Sequence, residues 1–190
     1  DIYNVTPSWV TPSILQELKL INQLSFYHLL LSPDINRLRA GPLIKDILDN
    51  IQNLISGSSS GKKAKIYSAH DMTIASVLSF FGANYVHQPP YAGALFFDVY
   101  QTDTNSYAIQ IDYQDRTNSN TTYPIQIQGC PSTLCPLEVL NTIYQPRIPV
   151  DIDVECQRRS KSTPTSNRYN FPAMTDFLHS RQCPEIAFEL

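Results

Sequence analysis

The sequence lacks the features that mark a membrane-spanning or nucleic-acid-binding protein. It has no run of about 18 apolar residues, the length that a membrane helix needs. Its 14 basic and 17 acidic residues leave a net charge of −3, so no basic excess favours nucleic acid. Glycine is scarce, at 6 of 190 residues, and the sequence has no Gly-rich phosphate loop, G-x-S-x-G elbow or metal-ligand cluster. We therefore expect one globular domain, or one large part of it, with no nucleic-acid partner.

Cysteine is also scarce, and all four cysteines fall in the last third of the chain. Cys130 and Cys135 bracket the stretch PSTL, so a disulfide between them would close a small loop, worth about 2 kcal/mol on the chain-entropy estimate. A zinc site would need two further ligands at suitable spacing, and none lies nearby. We therefore predict a Cys130–Cys135 disulfide.

Two sequons indicate a protein of the secretory pathway. Asn4 and Asn120 each begin an N-x-S/T triplet, the acceptor pattern for N-glycosylation. Asn120 lies in a polar, turn-like stretch that would accommodate a glycan. The chain begins at Asp1 without Met and without a secretory leader, so we expect further residues upstream.

The first third of the chain predicts two helices. Thr11 and Pro12 form a helix start, and residues 32–34 (Ser-Pro-Asp) end that helix. A second apolar period of helical spacing runs to Ile55. Because proline inside a helix breaks or kinks it, we expect the second helix to begin at about Pro42.

The remaining predicted elements alternate in type. In chain order they are a short buried strand (64–68), a helix (72–81), a hairpin of two strands (93–100 and 107–113), a third strand (123–128) and a short helix (137–144). From Gln145 onward we expect little regular structure. A buried strand between two helices is typical of a parallel sheet, which needs partner strands. The sequence therefore predicts the second half of an α/β protein.

His70 and Asp71 stand where the predicted strand 64–68 gives way to a helix. Ligands of open α/β sheets bind beyond the carboxyl ends of the strands, where helix N–H groups and the helix dipole favour anions. An imidazolium could hold a phosphate oxygen there, and a carboxylic acid could protonate a leaving group. The alternative is structural, with Asp71 capping the helix and His70 as a partly buried bystander.

The stretch YSAHDMT resembles the C-terminal active-site motif of the histidine acid phosphatases, a branch of the phosphoglycerate-mutase-like superfamily. The resemblance covers about residues 7 to 156. It is carried in order by PSW (7–9), RLRAGPLIKDIL (37–48), PPYAGALFFDVY (89–100), YPIQIQGC (123–130) and CPLEVL (135–140).

The resemblance implies an α/β fold, a phosphoglycerate-mutase-like three-layer sandwich of which residues 1–156 supply the C-terminal half. It also implies hydrolysis of small phosphomonoesters at acid pH without a metal or other cofactor. In that family a histidine of an R-H-G-x-R-x-P motif becomes a phosphohistidine, His70 would bind phosphate and Asp71 would be the proton donor. We expect residues 157–190 to form an irregular C-terminal tail beyond the resemblance.

Several further expectations follow from the resemblance. Cys156 would bridge to the N-terminal half of the same protein, while Cys183 has no predicted partner. The protein would be secreted or lysosomal, and a homodimer stays an open alternative.

Two departures from the family pattern concern the site itself. Met72 replaces the usual Thr, and R-H-G-x-R-x-P is absent, so the chain alone should be inactive. The alternative function is a catalytically inactive secreted glycoprotein that binds a ligand or partner.

The other candidate residues have structural interpretations. We expect His28 to be a packed or surface histidine of the first helix. His87 could line the mouth of a site, but a loop histidine without a partner is weak evidence for that. Arg37 and Arg39 are interpreted as structural or surface residues, because the family places its phosphate arginines in the N-terminal half.

Overall fold

The structure is a computed structural model, and it describes residues 6–58, 63–83, 85–116 and 120–159. These residues form five helices and a four-stranded antiparallel sheet. In chain order the elements are α1 (Pro12–Leu29), α2 (Pro33–Ile55), α3 (Asp71–Phe80), β1 (Ala94–Asp103), β2 (Ser106–Gln114), β3 (Tyr123–Pro124), β4 (Leu134–Pro136), α4 (Leu137–Tyr144), a short 3-10 turn (Gln145–Arg147) and α5 (Ile152–Arg159).

The first two helices each begin at a proline that follows an N-cap residue. Thr11 accepts the N–H of Ile14 at 3.3 Å at the start of α1. Helix α2 begins earlier than predicted, at Pro33, and continues through Gly41 and Pro42. The predicted break is therefore wrong.

Tertiary packing explains why α2 continues through its internal proline. A Cβ on Gly41 would lie 2.4 Å from the Pro149 side chain, so the helix is held against that segment at this turn. Its apolar face is buried on both sides of the proline, at Leu38, Leu43, Ile44, Ile47, Leu48 and Ile51. This burial offsets the hydrogen bond that Pro42 removes.

The predicted buried strand 64–68 is not a strand within the described residues. The segment is extended but pairs with no described strand, and Ile66 is 89% exposed. A parallel strand is stabilised by neighbours on both edges, and the described part of the chain supplies none.

The sheet is built around β2. Strand β1 pairs with it antiparallel along most of its length, which confirms the predicted hairpin. On its other edge β2 pairs with β3 at Tyr113 and with β4 at Ile109. Residues 123–128 were predicted as one strand, but only Tyr123–Pro124 forms β3, and β4 was not predicted.

The core lies where α2, α3, α4 and the sheet meet. Phe80, Phe81 and Tyr144 pack ring against ring there, and the Tyr144 hydroxyl oxygen lies 3.2 and 2.9 Å from the carbonyl oxygens of Phe81 and Gln128, which share its one hydrogen. Beside them a disulfide joins Cys130 to Cys135, the expected pairing.

The segment after Gln145 is more regular than expected. A 3-10 turn and then α5 follow α4, and Arg37 on α2 forms an ion pair with Glu155 on α5. The apolar period in α5 is weak, so the sequence pattern does not predict this helix. The ion pair joins residues far apart in the sequence, and no local pattern indicates it.

Candidate active site

A cleft of about 450 Å³ opens at the N-terminal end of α3. Its walls come from the start of α3 and from the loop that leads into β1: Ala69, His70, Asp71, Ile74, Gln88, Pro89, Pro90, Tyr91, Ala92 and Gly93. The predicted pair, His70 and Asp71, therefore lies on the wall of one cleft.

His70 and Asp71 occupy the first positions of α3. His70 is the N-cap residue in extended conformation, and its backbone N–H donates to the Thr73 hydroxyl at 3.4 Å. Its side chain is exposed rather than partly buried. Asp71 is the first helical residue, and its Oδ1 accepts the N–H of Met72 at 2.7 Å. The carboxylate thus satisfies one donor of the first turn, as a helix-terminal acid does.

The N–H groups of the first turn of α3 are largely occupied. Besides the Met72 N–H, those of Thr73 and Ile74 donate to the carbonyl of His70 at 3.0 and 3.2 Å. An anion in the cleft would therefore meet the positive end of the helix dipole and the His70 ring, rather than a row of free N–H donors.

Gln88 links Asp71 to the first helix. Its amide nitrogen donates to Asp71 Oδ2 at 3.2 Å, and its amide oxygen accepts from Asn22 Nδ2 on α1. Sequence reasoning did not single out either residue, because 66 positions separate Asn22 from Gln88 and no local pattern connects them.

The segment that leads to His70 is tied to α2 by the Asp46 network, formed by Asp46, Lys65 and Tyr67. Asp46 Oδ2 accepts from the Lys65 ammonium at 2.7 Å and from the Tyr67 hydroxyl at 2.6 Å. Partial burial raises the pKa of Asp46, but the hydrogen bonds from Lys65 and Tyr67 and the Lys65 charge outweigh it and hold the pKa below its usual range.

His87 lies on the loop before the cleft and has partners on both ring nitrogens. Its ring stacks on Tyr85, its Nδ1 lies 3.2 Å from the Tyr85 carbonyl oxygen and its Nε2 lies 3.1 Å from the Tyr113 hydroxyl. Burial lowers the pKa of His87, although the Tyr85 carbonyl and the charge of Asp115 act in the opposite direction. Burial raises the pKa of Tyr113. These residues hold the loop that forms one wall of the cleft.

The remaining predicted site residues lie away from the cleft. His28 is exposed on α1, and Asn120 is exposed in an irregular segment, where its glycosylation stays a prediction. Asn4 and Cys183 fall outside the described residues. Cys156 lies in α5, and its bridge to another part of the protein also stays a prediction.

The described part of the chain holds no group of three or more His, Cys, Asp or Glu residues arranged to bind a metal ion. None of its helices combines the length and apolarity needed to cross a membrane.

The sequence pattern of the Histidine phosphatase superfamily (branch 2) matches residues 3–114. This chain belongs to that superfamily. The match spans α1, α2, α3 and the β1–β2 hairpin, so it includes the whole of the cleft. Membership confirms the predicted family, and the helices packed on an antiparallel sheet are consistent with the predicted α/β phosphoglycerate-mutase-like fold.

Curated relatives in this superfamily include lysosomal and prostatic enzymes of vertebrates. The lysosomal acid phosphatase of Xenopus laevis is 30% identical over 157 residues, which are 81% of this chain and 36% of that protein. The prostatic acid phosphatase of Rattus norvegicus is 31% identical over 164 residues, which are 84% of this chain and 42% of that protein. The chain thus spans well under half the length of these relatives.

Proposed function

We propose that this chain is the C-terminal half of an acid phosphatase that hydrolyses phosphomonoesters through a phosphohistidine intermediate. His70 binds the phosphate and Asp71 is the proton donor, while the nucleophilic histidine belongs to an N-terminal half outside this chain. The observation that carries the proposal is the juxtaposition of an exposed imidazole and a carboxyl group on one cleft wall at a helix N-terminus.

The chemistry divides into two steps. The histidine of the other half attacks phosphorus, the bond from phosphorus to the ester oxygen breaks, and Asp71 gives its proton to that departing oxygen. Water then attacks phosphorus in the phosphohistidine, its proton passes to the Asp71 carboxylate, the bond from phosphorus to the histidine nitrogen breaks, and phosphate leaves. His70 and the dipole of α3 stabilise the negative charge of the phosphoryl group in both steps.

The protein is further proposed to pass through the secretory pathway to a lysosomal or extracellular location. The Cys130–Cys135 disulfide supports this, because disulfides persist in oxidising compartments and are rare in the cytosol. The sequons at Asn4 and Asn120 point the same way.

Asp71→Asn in the full-length protein tests the acid role. An alkoxide leaves reluctantly without a proton, whereas p-nitrophenolate leaves readily. A positioned acid contributes ~10²–10⁴-fold, so the variant should slow alkyl phosphates by that order and p-nitrophenyl phosphate far less in single-turnover phosphorylation.

His70→Ala is the matched comparison, because it removes charge stabilisation and should slow both substrates similarly. Equal losses on alkyl and aryl phosphates in Asp71→Asn would remove Asp71 from the role of acid. If Asp71 served only the helix terminus, Asn would replace it with little loss on either substrate.

A phosphatase-like protein that binds a ligand without turnover is the second candidate function, and Met72 is the observation that favours it. Thr is usual at this position in the family, so one hydroxyl near the cleft is lost. The backbone N–H of Met72 still binds Asp71, which any residue there could do. Phosphate binding by full-length protein that is abolished by His70→Ala, without hydrolysis of either substrate, would establish the second function.

The chain alone should have no phosphatase turnover under the first proposal, because it lacks the nucleophile. Purified residues 1–190 that hydrolyse p-nitrophenyl phosphate faster than their His70→Ala variant would refute this division of labour.

A further inference from the structure

The side chain of Gln88 connects the proposed proton donor to a different helix. Its amide nitrogen donates to Asp71 Oδ2 at 3.2 Å, while its amide oxygen accepts from Asn22 Nδ2. An amide has one donor end and one acceptor end. Donation from Asn22 to the amide oxygen therefore favours the orientation in which the amide nitrogen of Gln88 faces the carboxyl group of Asp71.

The loop that carries Gln88 is held on both sides of it. The ring of His87 is fixed by the Tyr113 hydroxyl, with 3.1 Å between the nitrogen and oxygen atoms. On the other side Pro89 is buried and Pro90 follows it. Because each proline fixes φ and restricts the residue before it, the backbone at Gln88 has few alternatives. The amide is thus presented to Asp71 from a fixed position.

Each oxygen of the Asp71 carboxyl group accepts a hydrogen bond. Met72 N–H donates to Oδ1 at 2.7 Å, and Gln88 donates to Oδ2. Each carboxyl oxygen has two lone pairs, so one acceptor position remains on each for the proton that is transferred. The two donors together restrict the terminal torsion of Asp71, which is otherwise broad.

We propose that Gln88 is a positioning residue for Asp71. Its amide keeps the carboxyl group in the orientation from which it delivers a proton to the leaving oxygen, and Asn22 sets the direction of that amide. The inference rests on the proposed function, in which Asp71 is the proton donor.

Gln88→Leu in the full-length protein removes the donor at nearly constant side-chain volume. The Asp71 carboxyl group can then rotate about the single remaining hydrogen bond, and the acid is aimed at the leaving oxygen for less of the time. We expect the single-turnover phosphorylation rate for β-glycerol phosphate to fall about 3- to 30-fold, a part of the full acid contribution, with substrate affinity little changed. For p-nitrophenyl phosphate the fall should be less than about 2-fold, because its leaving group needs little protonation.

Asn22→Asp tests whether Asn22 orients the Gln88 amide, and it leaves Asp71 itself unchanged. A carboxylate cannot donate to the Gln88 oxygen and instead attracts the Gln88 NH₂ group, which turns the amide oxygen toward Asp71. The variant should show the same dependence on the leaving group as Gln88→Leu, and the double variant should be no slower than Gln88→Leu alone.

Gln101→Leu is the matched control. Gln101 is an exposed glutamine of β1 whose amide bonds the Thr104 carbonyl at 3.0 Å, so its loss should leave both substrates unaffected. A Gln88→Leu variant that slows both substrates equally, or neither, would overturn the positioning role.

A second measurement needs no turnover. The side-chain ¹⁵N–¹H signals of Gln88, assigned by their disappearance in Gln88→Leu, should shift in Asp71→Ala and in Asn22→Asp but not in Asp98→Ala, an exposed carboxylate of β1. Gln88 side-chain signals whose chemical shifts do not change in Asp71→Ala would refute the contact on which the proposal rests. Signals that respond, in a protein whose Asp71→Asn variant loses no activity on either substrate, would refute only the proposed acid chemistry.

Discussion

Replacing Asp46 by Ala tests whether the Asp46 network anchors the segment that leads to His70. That segment pairs with no described strand, so its contacts with α2 run through the side chains of Lys65 and Tyr67. The best control is Asp49→Ala one turn along the same helix, where Asp49 pairs only with Lys45 in the described part of the chain. Both substitutions gain the same helix propensity, which cancels in their comparison.

The magnitude follows from exposure and contact type. The Lys65–Asp46 ion pair is 38% and 40% exposed, so it contributes about 0.5 kcal/mol. The Tyr67 hydrogen bond to the carboxylate adds about 1 kcal/mol after a discount for solvent. The Lys45–Asp49 pair, at 50% and 58% exposure, contributes about 0.4 kcal/mol. Asp46→Ala should therefore cost about 1 kcal/mol more than Asp49→Ala in the free energy of unfolding.

Urea unfolding of the full-length protein at several pH values measures this difference. The folded-state pKa of Asp46 lies below the unfolded value of about 3.9, so its contribution is complete above that pH and disappears as the pH falls through the folded pKa. Equal losses in the two variants at pH 7, or a difference that persists after Asp46 is protonated, would show that the network does not anchor the segment.

Two further predictions concern the frame of the cleft. Gly82→Ala should lower the free energy of unfolding, measured with urea, by about 1–3 kcal/mol more than Gly57→Ala does. Both glycines have positive φ, but only a Cβ at Gly82 would meet the Gln128 side chain, at 2.5 Å. Equal losses of stability in the two variants would rule out this overlap. Because burial lowers the pKa of His87 below its unfolded value, the unfolded state binds more protons, and stability should fall as the pH drops below about 6.5 until it levels off below the folded pKa. His87→Gln should flatten that part of the stability profile, and an unchanged profile would show that His87 is not responsible for it.

Elements whose signals are local could be predicted from the sequence. Thr11 caps α1 in front of Pro12 as expected, and the ends of the short helix at Leu137 and Tyr144 are those predicted. The β1–β2 hairpin is also in place. Capping, helical periodicity and turn residues act over a few positions, so the chain encodes them without reference to the rest of the fold.

The order of motifs along the chain also determined the family, and it placed the pair His70–Asp71 at the start of a helix. The position of Asp71 as the first residue of α3 follows from the change of pattern at that point. Its role as acid and the role of His70 in phosphate binding remain proposals, because both depend on a nucleophile that this chain does not contain.

Only the tertiary structure decided which side chains meet at the cleft. Helix α2 passes through Pro42 because burial on both sides of it holds the helix, and Asp71 meets Gln88 because the loop before β1 folds back over α3. The contact of Asn22 with Gln88 crosses 66 positions, and the segment around Ile66 is exposed because the described residues offer it no strand partner. Such contacts depend on how separate elements pack, and hydrophobic periodicity records only that a face is buried, not which distant residue lies against it.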